Sequence, residues 1–451
     1  MKRLAEIYIR WVQNWLPSPL AIAFALTAVC VLFAIIFTTP HDQSTFIYSI
    51  KIFEFWSDGI WGLLAFTAQM MFILVMGHAL ALSKPAARLI QNLVTFCTTH
   101  AKAAFTVTLI TVVSGFINWG FGLIFGAIMA RKVYEFGQKN GQHFNYPLLA
   151  ACGYTGMMVW HGGISGSAPL TVAQAGHSME VQMGILDLSK TMFSDMNLVA
   201  TLLCLVALPL FAIWLSKLTF QPKTIEISEI PNDSKPDTFD LKNKAERFDQ
   251  FPFVGISIGS AVLLFWIYRL LNSPSPINFL GINTINLLFF ALALLCHGSL
   301  SSFIKATDEA IRGAGGILIQ FPLYAGIMGI LSGSGLLYDS ATFLVQITNQ
   351  HSFPVLSFFS AAIVNIFVPS GGGQWQIQGP ILIDAAKILG VDLGKTTMSL
   401  AYGDQLTNML QPFWALPLLS VTGLKAKDIL PYSIMFMLIG AVIFTLVLIM
   451  F

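Results

Sequence analysis

Apolar and polar positions along this chain alternate in long blocks, not with the short periods of soluble helices and strands. Uninterrupted apolar runs occupy residues 19–39, 59–82, 197–216, 252–270, 282–297, 313–337 and 430–451. Most reach the roughly 20 residues that an α-helix needs to cross the hydrocarbon core of a bilayer. Four further segments, 103–130, 146–170, 353–385 and 396–423, are apolar but broken by glycine, proline and polar side chains. A regular helix does not continue undisturbed through such breaks. In hydrocarbon, irregular backbone survives only where protein buries it or where it lines a polar cavity. The pattern predicts an all-α polytopic membrane protein with four interrupted elements.

Charge placement sorts those four. Segment 103–130 is too short for two full crossings, which need roughly 40 residues. Lys84, Arg88 and Lys102 precede it, and Arg131, Lys132 and Lys139 follow it. Basic residues gather on the cytoplasmic side, so both ends belong on one side. That predicts a re-entrant hairpin whose tip lies near Asn118. The same reading makes 353–385 a second hairpin, tipped by Asn365–Gln376 and entering from the opposite side. Segments 146–170 and 396–423 become broken transmembrane helices. With these assignments 19 of the 24 Lys and Arg residues fall on one side. The N-terminus is then cytoplasmic and the C-terminus outside.

The two halves echo one another. Gln69 pairs with Gln320 at an offset of 251, Asn118 with Asn365 at 247, and Tyr154 with Tyr402 and Pro169 with Pro417 at 248. The extra span at 252–270 makes the second copy enter the membrane from the opposite side. The expected organisation is an N-terminal interfacial helix (1–18), a first membrane repeat (19–216), a polar cytoplasmic linker (217–250), a connecting span (251–281) and a second, inverted repeat (282–451). Inverted repeats with interrupted elements in matching places point to a secondary transporter whose site lies between the repeats.

Composition agrees with a membrane protein. Of 451 residues, 55% are hydrophobic and 10% charged, and the mean hydropathy is +0.73. A net charge of +2 gives no reason to expect nucleic acid as a partner. Cys30, Cys97, Cys152, Cys204 and Cys296 show neither paired spacing nor a metal pattern and read as small apolar residues. No cleavable leader is evident, and no organic cofactor or structural metal is expected.

The chemistry follows from what the interrupted segments contain. They carry no Lys or Arg away from their ends. Asp404 lies beside Gly403 within a broken span, and an acid placed there is a functional hypothesis by default. Its expected role is to bind a coupling H+ or Na+, with Asn408 and Asn365 as further oxygen ligands. An anionic substrate would then rely on backbone N–H groups at broken helix ends and on hydroxyl and amide side chains. Asn118, Trp119 and Gly120 in the first hairpin supply such groups. So do His161, Gly162, Gly163, Ser165 and Ser167 in the first broken helix. The second hairpin adds Asn365, Ser370, Gly371, Gly372, Gly373, Gln374 and Trp375. Trp119, Trp160, Trp375 and Trp414 are candidate walls for a short carbon tail, or packing residues. His161 reads either as a donor or proton carrier or as a buried structural histidine, and His78 reads as structural. Two other classes stay open: a passive short-chain anion channel, and an intramembrane serine hydrolase with Ser165 of Gly163-Ile164-Ser165-Gly166 as nucleophile.

Three motifs carry a family resemblance. Trp119-Gly120-Phe121-Gly122, the run Pro369-Ser370-Gly371-Gly372-Gly373-Gln374-Trp375 with Gln378-Gly379-Pro380, and Gln411-Pro412-Phe413-Trp414-Ala415-Leu416-Pro417 resemble the bacterial short-chain fatty acid transporter family, within the larger ion transporter superfamily. The likeness covers nearly the whole chain. It implies symport of short monocarboxylates such as acetoacetate or butyrate, or a related small carboxylate, across the bacterial inner membrane. It also implies an elevator-like movement and a homodimer in the lipid bilayer. His161 stands where that family usually has glycine, and Asp404 where glutamate is expected.

Overall fold

The computed structural model describes residues 19–40, 43–218, 248–273, 279–312, 314–368 and 370–451. The expected interfacial helix at 1–18 lies outside them, as does the polar linker apart from its two ends. Described residues form α-helices and short 3-10 turns, with no strand among them. Among them, six helices are long and apolar enough to cross a membrane. The five cysteines are free thiols.

One helix is longer than its apolar run. Thr45–Ile60 continues through a 3-10 turn at Trp61–Leu63 into Leu64–Ala81. The stretch carrying Glu54 and Asp58, between the apolar runs 19–39 and 59–82, is therefore helical. Packing explains it. Gly326 and Gly329 of Gly315–Ser334 leave room for Trp56 and for the Phe55 backbone, and a Cβ on Gly329 would lie 2.2 Å from the Phe55 carbonyl oxygen. Glu54 and Asp58 stay exposed on the opposite face.

The element order then runs twice. In the first half, Leu64–Ala81 leads through Lys84–Val94 to paired helices His100–Ile117 and Trp119–Lys139. An interrupted stretch follows (Tyr146–Cys152, Thr155–Met158, Ser167–Val172), and then Asp195–Lys217. In the second half, Gly315–Ser334 leads through Leu336–Ile347 to Phe353–Phe367 and Gly371–Leu389. Leu393–Thr407, Asn408–Leu410 and Pro412–Thr422 form the second interrupted stretch, and Ala426–Met450 ends the chain.

The turns between paired helices are held by side-chain caps. Asn118 is extended (φ −155°, ψ 127°), and its Oδ1 accepts the Phe121 N–H at 2.8 Å. Ser370 does the same for the second pair, being extended (φ −162°, ψ 108°) with Oγ accepting the Gly373 N–H at 3.1 Å. Ser370, not Asn365, thus holds the place of Asn118. Asn365 is followed by apolar residues that let the helix continue, so it lies inside Phe353–Phe367. The sequence pairing of the two asparagines is corrected accordingly.

The two interruptions clasp each other. Tyr154, just past the first break, donates its hydroxyl to the Asn408 carbonyl at 2.8 Å. Gln405 returns the contact, its Oε1 accepting the His161 and Gly162 N–H groups at 3.0 and 3.3 Å. Asn365 Nδ2 donates to the Asp404 carbonyl, Thr407 Oγ1 and Asn408 Oδ1 at 2.5, 3.0 and 2.9 Å. Backbone at the breaks is satisfied by side chains, from the other half at Asn408, His161 and Gly162 and from Asn365 at Asp404, which makes the breaks tolerable away from water.

Candidate functional site

A cavity of about 920 Å³ opens between the hairpin tips and the helices beside them. Its inner end is built by Trp119 of the first tip, Trp160 and Ser167 of the first interruption, Ser370, Gly371 and Gly372 of the second tip, and Trp414 of the second interruption. Trp119 contacts both of the other tryptophans, with ring centroids 5.9 Å from Trp160 and 5.4 Å from Trp414. Met70, Leu74 and His78 line one wall, and Gln320 and Phe321 another. Exposed Lys305, Asp308, Glu309 and Arg312 mark the open end.

Polar recognition at the inner end falls to backbone and hydroxyl groups. No Lys or Arg borders that end among the described residues. Ser370 caps the Gly373 N–H, and its carbonyl accepts the Gln374 N–H. For the N–H groups of Gly371 and Gly372 no acceptor is seen among the described residues. The first turn of a 19-residue helix thus presents donors and the positive end of its dipole to the cavity.

The glycines here serve close approach. A Cβ on Gly371 would lie 2.6 Å from the Trp160 ring and 2.7 Å from His161 Cε1. On Gly372 it would lie 2.7 Å from the Phe66 ring, which stacks on Phe321 with centroids 5.7 Å apart. On Gly373 it would lie 2.4 Å from the Tyr324 ring. The second tip is therefore wedged between the first interruption and the helices Leu64–Ala81 and Gly315–Ser334.

Behind this wall sits a buried ionisable pair. His161 Nδ1 lies 2.6 Å from Asp404 Oδ2, and both side chains are 0% exposed. The imidazole stacks on Trp160, with centroids 4.6 Å apart and planes at 12°. Its other nitrogen, Nε2, faces Ser167 Oγ and the Ala168 N–H, each at 3.1 Å. Asp404 Oδ1 has no partner among the described residues, nor do Asn365 Oδ1 and Gln411 Oε1.

The structure brings some expected site residues to the cavity and not others. Trp119, Ser167, Ser370, Gly371 and Gly372 line it. His161 lies one layer behind, as the partner of Asp404. Asn118 and Gly120 hold the first tip against Leu64–Ala81: a Cβ on Gly77 would lie 2.1 Å from Asn118 Oδ1, and one on Gly120 3.0 Å from the Leu74 carbonyl oxygen. Gly162, Gly163 and Ser165 shape the first interruption. Asn197 Nδ2 donates to the Gly162 carbonyl at 2.8 Å, Gly163 abuts the Phe116 carbonyl, and Ser165 Oγ accepts the Trp119 N–H at 3.0 Å. Asn365 and Asn408 belong to the clasp. Gln374 ties the two arms of its hairpin through the Ala361 carbonyl at 2.8 Å, and Trp375 is fully buried with Ala168, Val172 and Leu400. His78, read from sequence as structural, also borders the cavity. Gln405 and Asn197 also escaped the sequence reading, because Gln405 meets the His161 and Gly162 N–H groups, and Asn197 the Tyr402 hydroxyl, from more than 200 residues away.

The whole chain, residues 1–451, matches the family described as short chain fatty acid transporter. A relative from Escherichia coli (strain K12), named "Putative short-chain fatty acid transporter", is 37% identical over 100% of this chain and 99% of its own length. One of the same name from Haemophilus influenzae is 36% identical over 98% of each chain. Among solved structures, the YdaH transporter of Alcanivorax borkumensis superposes with a TM-score of 0.56 at 14% identity, over 95% of this chain and 98% of that one. MtrF of Neisseria gonorrhoeae, described among antimetabolite efflux pumps, gives 0.56 at 15% identity over 99% and 97%. At such identities these two likenesses speak to the fold alone. Full-length agreement with the family and its relatives settles the rest: this multi-pass membrane protein is a transporter, not an enzyme, and belongs to the short-chain fatty acid transporter family.

Proposed function

We propose that the protein takes up short-chain monocarboxylates such as acetoacetate and butyrate, coupled to a cation, H+ or Na+, bound at Asp404. The observation that carries this reading is the inner end of the cavity, where helix-start N–H groups meet a tryptophan cluster with no basic side chain. Such a surface suits one carboxylate on a short apolar tail. It would hold a dianion poorly, because N–H donors supply partial charge only. Buried side-chain oxygens without a donor carry a desolvation cost that a cation offsets. Asp404 Oδ1, Asn365 Oδ1 and Gln411 Oε1 are such atoms, on residues joined through the clasp.

In this reading the two hairpins and two interrupted helices move together past the remaining helices, as inverted repeats in an elevator. The charged end of the cavity faces the cytoplasm of the bacterial inner membrane, with the N-terminus inside, the C-terminus outside and two copies forming a dimer. The test is a counterflow screen of C2 to C6 acids in proteoliposomes, with pH and Na+ gradients imposed separately. Saturable uptake of C4 acids driven by one gradient is expected. Uptake unaffected by either gradient, or undiminished in Asp404→Asn, overturns the coupling assignment.

A further inference from the structure

We propose that Ser167, His161 and Asp404 form a proton wire from the cavity to the buried carboxylate, so that the coupling ion is a proton. The proposal rests on the reading that Asp404 couples transport, and it selects between the two ions left open there.

The wire is continuous. Ser167 borders the cavity, its Oγ lies 3.1 Å from His161 Nε2, and His161 Nδ1 lies 2.6 Å from Asp404 Oδ2. The Ala168 N–H fixes the resting state. A backbone N–H can only donate, so Nε2, 3.1 Å away, is an acceptor. The neutral ring therefore carries its proton on Nδ1 and donates it to the Asp404 carboxylate.

Loading then balances. A hydronium in the cavity gives a proton to Ser167 Oγ as the serine's own proton passes to Nε2 and the Nδ1 proton passes to Asp404 Oδ2. One proton has moved from the cavity to Asp404, the serine is again a neutral hydroxyl, and the ring is neutral with its proton on Nε2. Asp404 now donates to Nδ1, and Nε2–H donates to Ser167 Oγ. The Ala168 N–H loses its acceptor in that state, which favours the proton's release once the site faces the other side.

Among the described residues no open path of this kind leads a metal cation to the pair. His161 and Asp404 are 0% exposed, and Gly371 closes over the ring, its would-be Cβ 2.7 Å from His161 Cε1. An imidazole passes protons, not sodium ions. Among the described residues, His161 is the titratable side chain bonded to the Asp404 carboxyl. Charges on the elements packed against the Asp404 helix lie at their ends, Asp384 and Lys387 toward the close of Gly371–Leu389 and Lys427 and Asp428 at the start of Ala426–Met450. The second hairpin brings Asn365 and Phe358, and the last helix Phe444. Tyr154 and Tyr402 turn their hydroxyls to Asn408 and Asn197.

The connectivity is that of a Ser-His-Asp hydrolytic triad, and the test must separate the two uses. Full-length wild type, Ser167→Ala, His161→Gln and Asp404→Asn are compared in proteoliposomes. Glutamine at 161 keeps a polar group near Asp404 but relays no proton. Driven butyrate uptake is expected to fall by about 10²-fold or more in His161→Gln and about tenfold in Ser167→Ala, with counterflow, which needs no net proton transfer, reduced less than about tenfold. A readout independent of transport is infrared difference spectroscopy of the detergent-solubilised protein after a pH jump. A protonated-carboxyl band absent in Asp404→Asn, and appearing more slowly in Ser167→Ala and His161→Gln, supports the wire even if butyrate proves not to be the substrate. Uptake driven by Na+ and indifferent to pH overturns it. So does an equal loss of counterflow and driven uptake in both relay variants. Covalent labelling of Ser167 by a fluorophosphonate would make it a nucleophile and likewise overturns the wire.

Discussion

Tyr154 and Tyr402 each reach from one half of the chain to brace the interrupted stretch of the other. The Tyr154 hydroxyl meets the Asn408 carbonyl at 2.8 Å. The Tyr402 hydroxyl meets Asn197 Oδ1 at 3.1 Å, and the same asparagine donates to the Gly162 carbonyl. The two breaks are therefore bonded to each other from both sides.

Removing one brace should destabilise the fold by a definable amount. Tyr154→Phe removes one of two donors to the buried Asn408 carbonyl, which keeps the Gln411 N–H, at a cost of about 0.5–1.5 kcal/mol. Tyr402→Phe should cost more, about 1–3 kcal/mol, because the buried Asn197 Oδ1 is left without a donor while the amide nitrogen only keeps its own bonds to the Gly162 and Met192 carbonyls. Thermal unfolding in detergent checks the order. A larger loss in Tyr154→Phe would contradict it.

The His161–Asp404 pair predicts non-additivity. His161→Ala removes the donor at Oδ2 from a carboxylate that is fully buried. Breaking a buried pair in this way typically costs about 3–5 kcal/mol, mostly from the charge left behind. Adding Asp404→Asn removes that charge, so the double variant should be more stable than His161→Ala alone. Unfolding midpoints of the four proteins in the cycle measure this, and simple additivity would mean that no buried carboxylate charge depends on the His161 bond.

Much of this arrangement is legible in the sequence because breaks in hydrocarbon need special residues. Glycine, proline and amide clusters mark both hairpins and both interrupted helices, and Asp404 stands out as an acid among apolar neighbours. What the sequence hides is partnership. His161 and Asp404 lie 243 residues apart, and nothing in either segment names the other. Identity misled where geometry ruled: Asn118 matches Asn365 as a residue type, but Ser370 has the capping role. Trp375 resembles the cavity tryptophans in its motif, yet it points into a core with Val172 and Leu400. Thr45–Ile60 looks like a connection because its charges lie on one face, while its other face is buried on Gly315–Ser334.

Tail length should be set by the tryptophan cluster. Trp119 touches both Trp160 and Trp414, so trimming it opens the apolar end without touching the N–H donors. Trp119→Leu is expected to shift preference from C4 toward C6 acids by about 10-fold or more in relative uptake, since each added methylene buried is worth about 0.8 kcal/mol. A competition series of straight-chain acids against labelled butyrate reads this out. An unchanged rank order would remove Trp119 from the tail site.

Gly372 offers the sharpest separation of transport from folding. Its neighbours are the rings of Phe66 and Phe321, which belong to helices outside the hairpin. A side chain there collides at about the separation of the two bodies proposed to slide, leaving the hairpin's own caps at Ser370 intact. Gly372→Val should therefore express and purify normally but lose roughly 1–3 kcal/mol at the contact, enough to cut uptake about tenfold or more. Trimming the opposing ring tests the cause directly. Phe66→Ala removes the atoms 2.7 Å from the would-be Cβ, so the double variant should recover uptake relative to Gly372→Val alone. Normal uptake in the single variant would take the tip out of the moving contact, and failure of Phe66→Ala to rescue would place the collision elsewhere.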